Sequence, residues 1–357
     1  MRKFLRLIFL ASVIFGFLLL ASASMGGFQA GVDTPISVSG LPLSDSQKAA
    51  ILETYAPRVW LARDHPTHPE GEIYFPSPVE FSFMHNRRLW EPQGHDNWWL
   101  YTYEDMAEPS SVLDYFHGCD GYPCQLSDVP VYAFWDEVDD VLIESVAYDV
   151  VDLVYFFWFP YNRGKYIEII NTTFGHHVGD WEHVSIRLKP EWDEGTGQWV
   201  YVLHEIYLSA HDFGETYSPD EITEWESAHP VVYAAWGSHG IWKDEGDHHY
   251  ETIEIEVIGI GLIDIELYDY TSPGTAWDTW EFVEAYDYDN QAGLIGNAWP
   301  TWMSDEFDNP ELGYTDPASG PIYRWGNDSW ECDIYCRRSS GPTGPVSKNV
   351  WDVQDLK

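Results

Sequence analysis

The stretch from Val150 to Phe159 is apolar or aromatic along nearly its whole length. A run of this length and composition is typical of a strand buried on both faces. Further along, Val184, Ile186 and Leu188 alternate with polar or charged residues, which is the period-two pattern of a half-buried strand. Strands rather than helices are therefore expected to form the core.

The remaining patterns agree with this fold class. Alternating segments at Ile253–Val257 and Ile263–Leu267 are separated by glycines and predict a hairpin. The helical signal is confined to Ser44–Tyr55, with Ser44 as N-cap. From about residue 271 the chain is dense in Trp, Asp, Gly and Pro. We predict a mostly β protein: a single antiparallel β-sandwich, jelly-roll-like, with a short N-terminal helix and loop-rich C-terminal decoration.

Residues 1–23 have the pattern of a secretory signal peptide. A positively charged start precedes an apolar run and the small-residue sequence Ala21-Ser22-Ala23. An uncleaved membrane anchor is the alternative, but the apolar run is shorter than the roughly 20 residues that a span needs. Residues 24–44 predict a linker, which leaves residues 45–352 as one domain with no other membrane span. The protein is therefore expected to be secreted or attached to the cell surface.

The charge is strongly acidic. The chain has 59 Asp and Glu against 18 Lys and Arg, for a formal net charge of −41. Nucleic acid is excluded as a natural partner, because phosphate binding needs clustered Lys and Arg. Disorder is excluded too, since an aromatic content of 17% with 19 Trp can fill a core.

The cysteines form two close pairs, Cys119 with Cys124 and Cys332 with Cys336. In an exported protein such cysteines predict disulfides. Pairing within each close pair is the simplest connectivity. A cross-link between the middle of the chain and its C-terminal region is the alternative.

The segment from Phe174 to His183 holds the strongest functional signal. Asp180 and Glu182 share one parity with the apolar residues that follow, so a strand would place both carboxylates on the core-facing side. Two buried like charges need compensation, and a divalent cation would supply it. Gly179 would let the chain turn and bring His177 to the same point. Carboxylates favour calcium or magnesium, whereas an imidazole ligand shifts the preference towards manganese or zinc.

Two other histidines are candidate members of this site. His211 follows a strand-like segment and His239 lies in a Gly-rich turn, so both could converge on the metal. Each also fits an ordinary loop or core histidine. The alternative for the two carboxylates is that they cap backbone amides or pair with Arg187 or Arg163.

Most enzyme signatures are missing from the sequence. There is no serine-hydrolase elbow, no zincin helix and no phosphate-binding glycine loop. The enzyme hypothesis that survives is a metal-assisted hydrolase of an ester or phosphodiester.

Five segments resemble, in order, the vacuolar protein sorting-associated protein 62 family over about residues 50–352. They are Tyr55-Ala56-Pro57-Arg58-Val59 with Tyr74-Phe75-Pro76-Ser77; Phe159-Pro160-Tyr161-Asn162; His177-Val178-Gly179-Asp180-Trp181-Glu182-His183; Pro230-Val231-Val232-Tyr233-Ala234 with Gly237-Ser238-His239; and Gly341-Pro342-Thr343-Gly344-Pro345.

The central motif is also similar to the Gly-His-Arg-His-Asp-Trp-Glu motif of the necrosis- and ethylene-inducing-like cytolysins. That resemblance implies a secreted β-sandwich with a divalent-cation site and recognition of membrane sphingolipid head groups. The Asp and Glu of that motif fall on Asp180 and Glu182, and its first His falls on His177. Its second His falls on Gly179, and a downstream Ser-Ala-His matches the segment ending at His211.

These observations predict a secreted, divalent-cation-dependent binding module for a surface glycan or lipid head group. The alternatives are the metal-dependent hydrolase and an acidic structural or matrix protein.

Overall fold

In the computed structural model the described residues are 36–37, 43–63, 65, 71–90, 98–102, 117–119, 124–257, 261–308, 322–326, 330–331, 338–339 and 341–357. The predicted signal peptide, most of the predicted linker and the pair Cys332 and Cys336 lie outside them. Cys119 and Cys124 form a disulfide, as pairing within a close pair predicts.

The predicted N-terminal helix is present. It is α1 (Asp45–Tyr55), and a shorter helix, α2 (Val79–His85), lies further along the chain. The backbone N–H of Ser44 donates a 3.0 Å hydrogen bond to Oε1 of Gln47, which satisfies a donor at the helix start. Within the described ranges, no helix has the length and apolar character of a membrane span.

The strands run through the whole described chain. In chain order they are β1 (Ile36–Ser37), β2 (Arg58–Leu61), β3 (Asn86–Trp90), β4 (Trp98–Thr102), β5 (Val131–Ile143), β6 (Val146–Asn162), β7 (Lys165–Ile167), β8 (Thr172–Phe174), β9 (His177–Asp193), β10 (Gln198–Ala210), β11 (Phe213–Tyr217), β12 (Trp225–Glu226), β13 (His229–Ala234), β14 (Ile241–Trp242), β15 (Gly246–Val257), β16 (Gly261–Thr271), β17 (Thr275–Asp278), β18 (Val283–Asp287), β19 (Ala292–Gly293), β20 (Glu306–Asp308), β21 (Ile322–Arg324), β22 (Trp330–Glu331) and β23 (Arg338–Ser339).

Two sheets dominate. The larger has the order β1-β10-β9-β6-β5-β18-β19, with β11 paired to β10, and the smaller has the order β12-β13-β2-β17, with β14 paired to β13. The predicted hairpin is β15 with β16. The mostly β prediction is confirmed. The sheets are mixed, because β18 pairs with β5 and β13 pairs with β2 in parallel, while the other pairings are antiparallel.

The two sheets enclose the main core. The side chains that β6 and β9 point into this core alternate along each strand and include Phe157, Phe159 and Val184. They pack with Val59, Val232 and Trp277 from the smaller sheet. This face-to-face packing is the sandwich arrangement.

A second core covers the opposite face of the larger sheet. Phe156, Trp158 and Trp181 pack there with Trp302 and Trp325, which come from the Trp-rich C-terminal region. The burial of Val150–Phe159 on both faces is therefore confirmed. The half-buried prediction for β9 is wrong, because the C-terminal region covers the face that would otherwise be exposed to solvent.

A buried ion pair lies on this second face. Arg187 donates two hydrogen bonds to Asp152, at 2.8 and 2.7 Å, and both side chains are at most 1% exposed. Arg187 also donates to the backbone carbonyls of Val353 and Gln354, both at 2.8 Å. One guanidinium thus neutralises a charge inside the sheet and holds the 353–354 segment on its surface.

Candidate functional site

The candidate site lies where β6 ends and β9 begins. Antiparallel pairing sets His177 opposite Asn162, and Asp180 opposite Phe159. Between them Gly179 has a φ of +75°, in the left-handed region that favours glycine. A Cβ at this position would lie 2.3 Å from Cη2 of Trp158. Glycine is therefore needed here both for backbone conformation and for space.

Asp180 is the central acidic group of the site, with its side chain turned into the molecule and 8% of the residue exposed. Its Oδ2 accepts a 3.2 Å hydrogen bond from Nδ2 of Asn162 and lies 3.5 Å from Nδ1 of His239. Burial raises the pKa of Asp180, but the contact with His239 and the charges of His177 and His211 outweigh it. The pKa of Asp180 is held below its ordinary value, so the carboxylate is ionised.

His239 is fully buried, and its ring stacks on Phe159 with the centroids 3.9 Å apart. Its Nε2 lies 3.1 Å from the carbonyl oxygen of Tyr74, which can only accept, so Nε2 carries a hydrogen. Its Nδ1 has no hydrogen-bond partner among the described residues. Nδ1 faces the carboxylate of Asp180: in the protonated ring it carries the hydrogen and charge that lower the pKa of Asp180, and in the neutral ring it presents a lone pair.

Glu182 lies behind Asp180 and is 1% exposed. The hydroxyl of Ser209 donates to Oε2, and the backbone N–H of His211 donates to Oε1 at 3.2 Å. Burial and the neighbouring charge of Asp180 raise the pKa of Glu182 to about 8. The two carboxyl groups are thus pushed towards different protonation states, one ionised and one protonated at neutral pH.

His211 joins the site to a second acidic group that the sequence analysis missed. Its Nε2 lies 3.0 Å from Oδ2 of Asp269. Asp269 is fully buried and accepts further hydrogen bonds from Lys165 at 2.8 Å, Ser238 at 2.6 Å and Trp242 at 3.0 Å. Burial raises the pKa of Asp269, but the charges of Lys165 and His211 hold it well below its ordinary value. Asp269 is therefore an ionised residue that fixes the His211 ring.

A cavity of about 350 Å³ opens beside these groups. Three of the predicted ligands, His177, Asp180 and His211, lie on its wall, whereas Glu182 and His239 lie behind it. The Nδ1 of His177 donates to the carbonyl of Gly179 at 2.7 Å, which leaves Nε2 as the ring's acceptor in the neutral form. The rest of the lining consists of Asn162, Gly164, Lys165, Phe174, Gly175, Trp181, Asp212, Phe213, Ser238, Tyr250, Glu251, Pro342 and Lys348.

The structure brings the predicted residues into one region in two layers. Arg187 does not neutralise the carboxylates, because it is bound to Asp152. Capping of backbone N–H groups, the other alternative, applies to Glu182. In the described part of the chain, the trio whose ligand atoms all lie within 4.8 Å of one another is a different one: Asp136, Asp289 and Asp352.

Other features of the site had weak sequence signals. Asn162 ends the Phe159-Pro160-Tyr161-Asn162 segment but was not assigned a role. Asp269 and Lys165 carry no recognisable motif. Asp247, His248 and His249 lie within β15.

Residues 145–261 match the family model described as Vacuolar protein sorting-associated protein 62. The predicted resemblance to this family is confirmed. The matched segment includes β6, β9 and β10, and β9 carries His177, Asp180 and Glu182.

Two relatives from Saccharomyces cerevisiae are similar to the chain. The Putative vacuolar protein sorting-associated protein TDA6 is 23% identical over 220 residues, which cover 56% of this chain and 42% of the relative. Vacuolar protein sorting-associated protein 62 is 26% identical over 219 residues, covering 57% of this chain and 42% of the relative. The aligned part thus spans less than half the length of these Vps62 relatives.

Solved structures that match the chain include necrosis- and ethylene-inducing proteins. The crystal structure of Necrosis and Ethylene inducing Protein 2, from the causal agent of cocoa's Witches Broom disease, has a TM-score of 0.29 and 15% identity. It matches over 60% of this chain and 76% of that chain. NLPPya in complex with glucosamine has a TM-score of 0.29 and 14% identity, over 59% of this chain and 73% of that chain.

Proposed function

We propose that this chain is a secreted, divalent-cation-dependent binding module for sugar-containing head groups, presented as free glycans or as glycolipids. One observation carries the proposal. Asp180 is a buried, ionised carboxylate that lies on the wall of a ligand-sized cavity, 3.5 Å from Nδ1 of the buried His239.

The donor set fits a divalent cation. His239 holds its N–H on the carbonyl of Tyr74, and His177 holds its N–H on the carbonyl of Gly179. Histidines that ligate metals commonly donate their other ring N–H in this way, which fixes the tautomer and the ring orientation. Asp180 would supply the carboxylate oxygen. The carboxylate oxygen suits calcium or magnesium, whereas the imidazole ligands shift the preference towards manganese or zinc.

The cavity suits a sugar ring. Its volume of about 350 Å³ falls at the lower end of the range typical of small-molecule sites. Tyr250 and Phe213 offer aromatic surface on the wall, while Asn162 offers an amide beside Asp180. A cation held by Asp180 would bind hydroxyl oxygens, and the aromatic rings would cover the apolar face of the sugar.

The charge of the chain favours a neutral head group. A formal charge of −41 repels an anionic membrane, whereas an uncharged sugar carries no such penalty. The Cys119–Cys124 disulfide supports export, because disulfides persist in oxidising compartments.

Two binding experiments test the proposal on the full chain. The first measures binding to an array of neutral and acidic oligosaccharides, in calcium, magnesium or manganese and in chelator. The second measures binding to phosphatidylcholine vesicles with and without a glycosylceramide. We expect binding to a sugar-bearing probe that chelator abolishes and that Asp180→Asn weakens at least tenfold. Binding to the array but not to vesicles identifies a free glycan. Binding to glycosylceramide vesicles but not to the array identifies a glycolipid.

Asp212→Asn is the matched control, because Asp212 also lines the cavity and the substitution makes the same charge change. Equal losses in the two variants would indicate general electrostatics and contradict the proposed role of Asp180. Assays with p-nitrophenyl acetate and bis(p-nitrophenyl) phosphate address the hydrolase alternative. Metal-dependent turnover that is lost in Asp180→Asn would support the hydrolase alternative and contradict the binding proposal.

A further inference from the structure

A second acidic cluster lies on the other face of the larger sheet. Asp136 is on β5, Asp289 follows β18, and Asp352 immediately precedes residues 353–354 in the sequence. Each residue has an oxygen within 4.8 Å of the corresponding oxygens of the other two. Asp136 has the same parity as Phe134, which belongs to the second core, so this cluster and the Asp180 site are on opposite faces.

The carboxyl group of Asp136 is only half satisfied. Asp136 is 0% exposed, and its Oδ2 accepts a 3.1 Å hydrogen bond from the backbone N–H of Asp352. Its Oδ1 is buried and has no hydrogen-bond partner among the described residues. A buried carboxylate oxygen without a partner is costly unless a positive charge lies beside it.

Arg187 and Lys48, two cations close to this cluster in the fold, bond to other carboxylates. Asp152 is the direct cross-strand neighbour of Asp136, and Arg187 spends two hydrogen bonds on Asp152. Lys48 pairs with Glu137 and Asp287. Neither of these cations is therefore paired with Asp136.

We propose that Asp136, Asp289 and Asp352 form a second divalent-cation site, separate from the Asp180 region. All three side chains supply carboxylate oxygens, and the trio includes no imidazole. Such a set suits a hard cation, and calcium accommodates several carboxylates in flexible geometry. Asp289 and Asp352 are exposed and Asp136 lies beneath them, so a cation can enter from solvent.

The site would link three segments of the chain. The backbone N–H of Tyr288 donates to the carbonyl of Trp135 at 2.9 Å, and Oδ2 of Asp289 accepts from the N–H of Glu137 at 3.0 Å. The Tyr288 ring stacks on Trp351 with centroids 3.9 Å apart. A bound cation would therefore fasten the segment around Trp351 and the segment after β18 to β5.

Terbium titration of the full chain tests this inference. Terbium is an oxygen-preferring substitute for calcium, and its luminescence is sensitised by nearby tryptophan. Trp135 and Trp351 are adjacent in sequence to Asp136 and Asp352. We expect a calcium-displaceable site that Asp289→Asn weakens at least tenfold. The amide oxygen of Asn can still accept from Glu137, so this variant is expected to fold, and near-UV circular dichroism checks this. Asp352→Asn provides an independent second variant.

Asp139→Asn is the control, because Asp139 is an exposed carboxylate on the same strand. Asp180→Asn separates this site from the proposed function. The inference is supported if Asp289→Asn and Asp352→Asn lose terbium binding that Asp180→Asn and Asp139→Asn retain. It is overturned if Asp289→Asn titrates like wild type, or if Asp180→Asn removes all terbium binding. Failure of the Asp180 proposal would leave this result unchanged.

Discussion

Nδ1 of His239 lies 3.5 Å from Oδ2 of Asp180, at the bottom of a region that carries two further histidines. Because Nε2 of His239 bonds to the carbonyl of Tyr74, the nitrogen that faces the carboxylate is the acceptor in the neutral ring. Two acceptors that face each other need a positive species between them, either a proton or a cation. Three predicted ligands lie on the cavity wall, which makes the cation the testable alternative.

Chelator sensitivity tests this relationship. We expect wild type to lose stability on chelation, because a ligand that binds only the folded state stabilises it by about 2.7 kcal/mol at a concentration 100 times its Kd. Asp180→Asn should remove most of the stability that wild type loses on chelation. The comparison is made in an Asp289→Asn background, so that the second proposed site does not contribute. Urea unfolding with and without chelator gives the difference, and equal chelator sensitivity with and without Asp180→Asn would contradict the assignment.

The fold was predictable where the signal is local. The run Val150–Phe159 and the alternation around Ile253–Val257 each identify a strand within a short window. The burial of Ser185 and Arg187 was not predictable in this way, because it depends on cover from residues 353–357, which are far away in the sequence. The parallel pairings have the same origin, since they join segments far apart in the chain.

Part of the candidate site was likewise predictable from local sequence, and part was not. His177, Asp180 and Glu182 lie within six residues, so their pattern was visible in the sequence. Asp269 is isolated in sequence and joins His211 only through folding of β16 beside the site. The acidic cluster draws its members from three distant segments, so no spacing rule could have found it.

The Asp152–Arg187 pair predicts a large stability effect. Arg187→Met would leave Asp152 buried without its counter-ion and would release the carbonyls of Val353 and Gln354. We expect a loss of about 3 to 5 kcal/mol in the free energy of unfolding. Residues 353–357 should also become more sensitive to carboxypeptidase. Urea unfolding and timed digestion provide the two measurements.

Lys189→Met is the control for Arg187→Met. Lys189 lies two residues further along β9 and pairs with the more exposed Glu191 at 2.9 Å. Its replacement should cost less than about 1 kcal/mol, as for other surface pairs. The double variant Arg187→Met/Asp152→Leu should recover much of the lost stability, and no recovery would argue against an uncompensated charge as the cause.

Lys48 predicts a pH window for the attachment of α1. Burial lowers the pKa of Lys48, but its hydrogen bonds to Asp287 and Glu137 outweigh this and raise it above 10.5. Burial raises the pKa of Asp287, but Lys48 and Asn290 hold it below 3.8. The Lys48–Asp287 ion pair therefore makes its full contribution to the free energy of unfolding between pH 3.8 and pH 10.5, the ordinary pKa values of the two groups. Its contribution is lost as the pH falls through the lowered pKa of Asp287 or rises through the raised pKa of Lys48.

We expect Lys48→Met to lose about 2 to 3 kcal/mol at neutral pH, because it leaves Asp287 buried without its cation. The stability difference from wild type should stay constant near neutrality and shrink towards both extremes of pH. Urea unfolding across that range is the measurement. Lys243→Met is the control, since Lys243 pairs with the adjacent Asp244, whose side chain is 45% exposed. A stability difference between wild type and Lys48→Met that grows at low pH would contradict the lowered pKa of Asp287.

Gly179 predicts a defect that combines backbone strain with a clash. Its φ of +75° costs about 1 to 2 kcal/mol for a residue with a Cβ, and that Cβ would lie 2.3 Å from the Trp158 ring. Gly179→Ala should therefore lose more than this strain alone, and it should also weaken metal binding by displacing His177 and Asp180. Gly197→Ala is the matched control: its φ is +65°, with no atom within 4 Å of the added Cβ, so strain is the only cost. Thermal unfolding gives both losses. Equal losses would mean that Trp158 moves aside, and the motif's second histidine could then be accommodated at position 179.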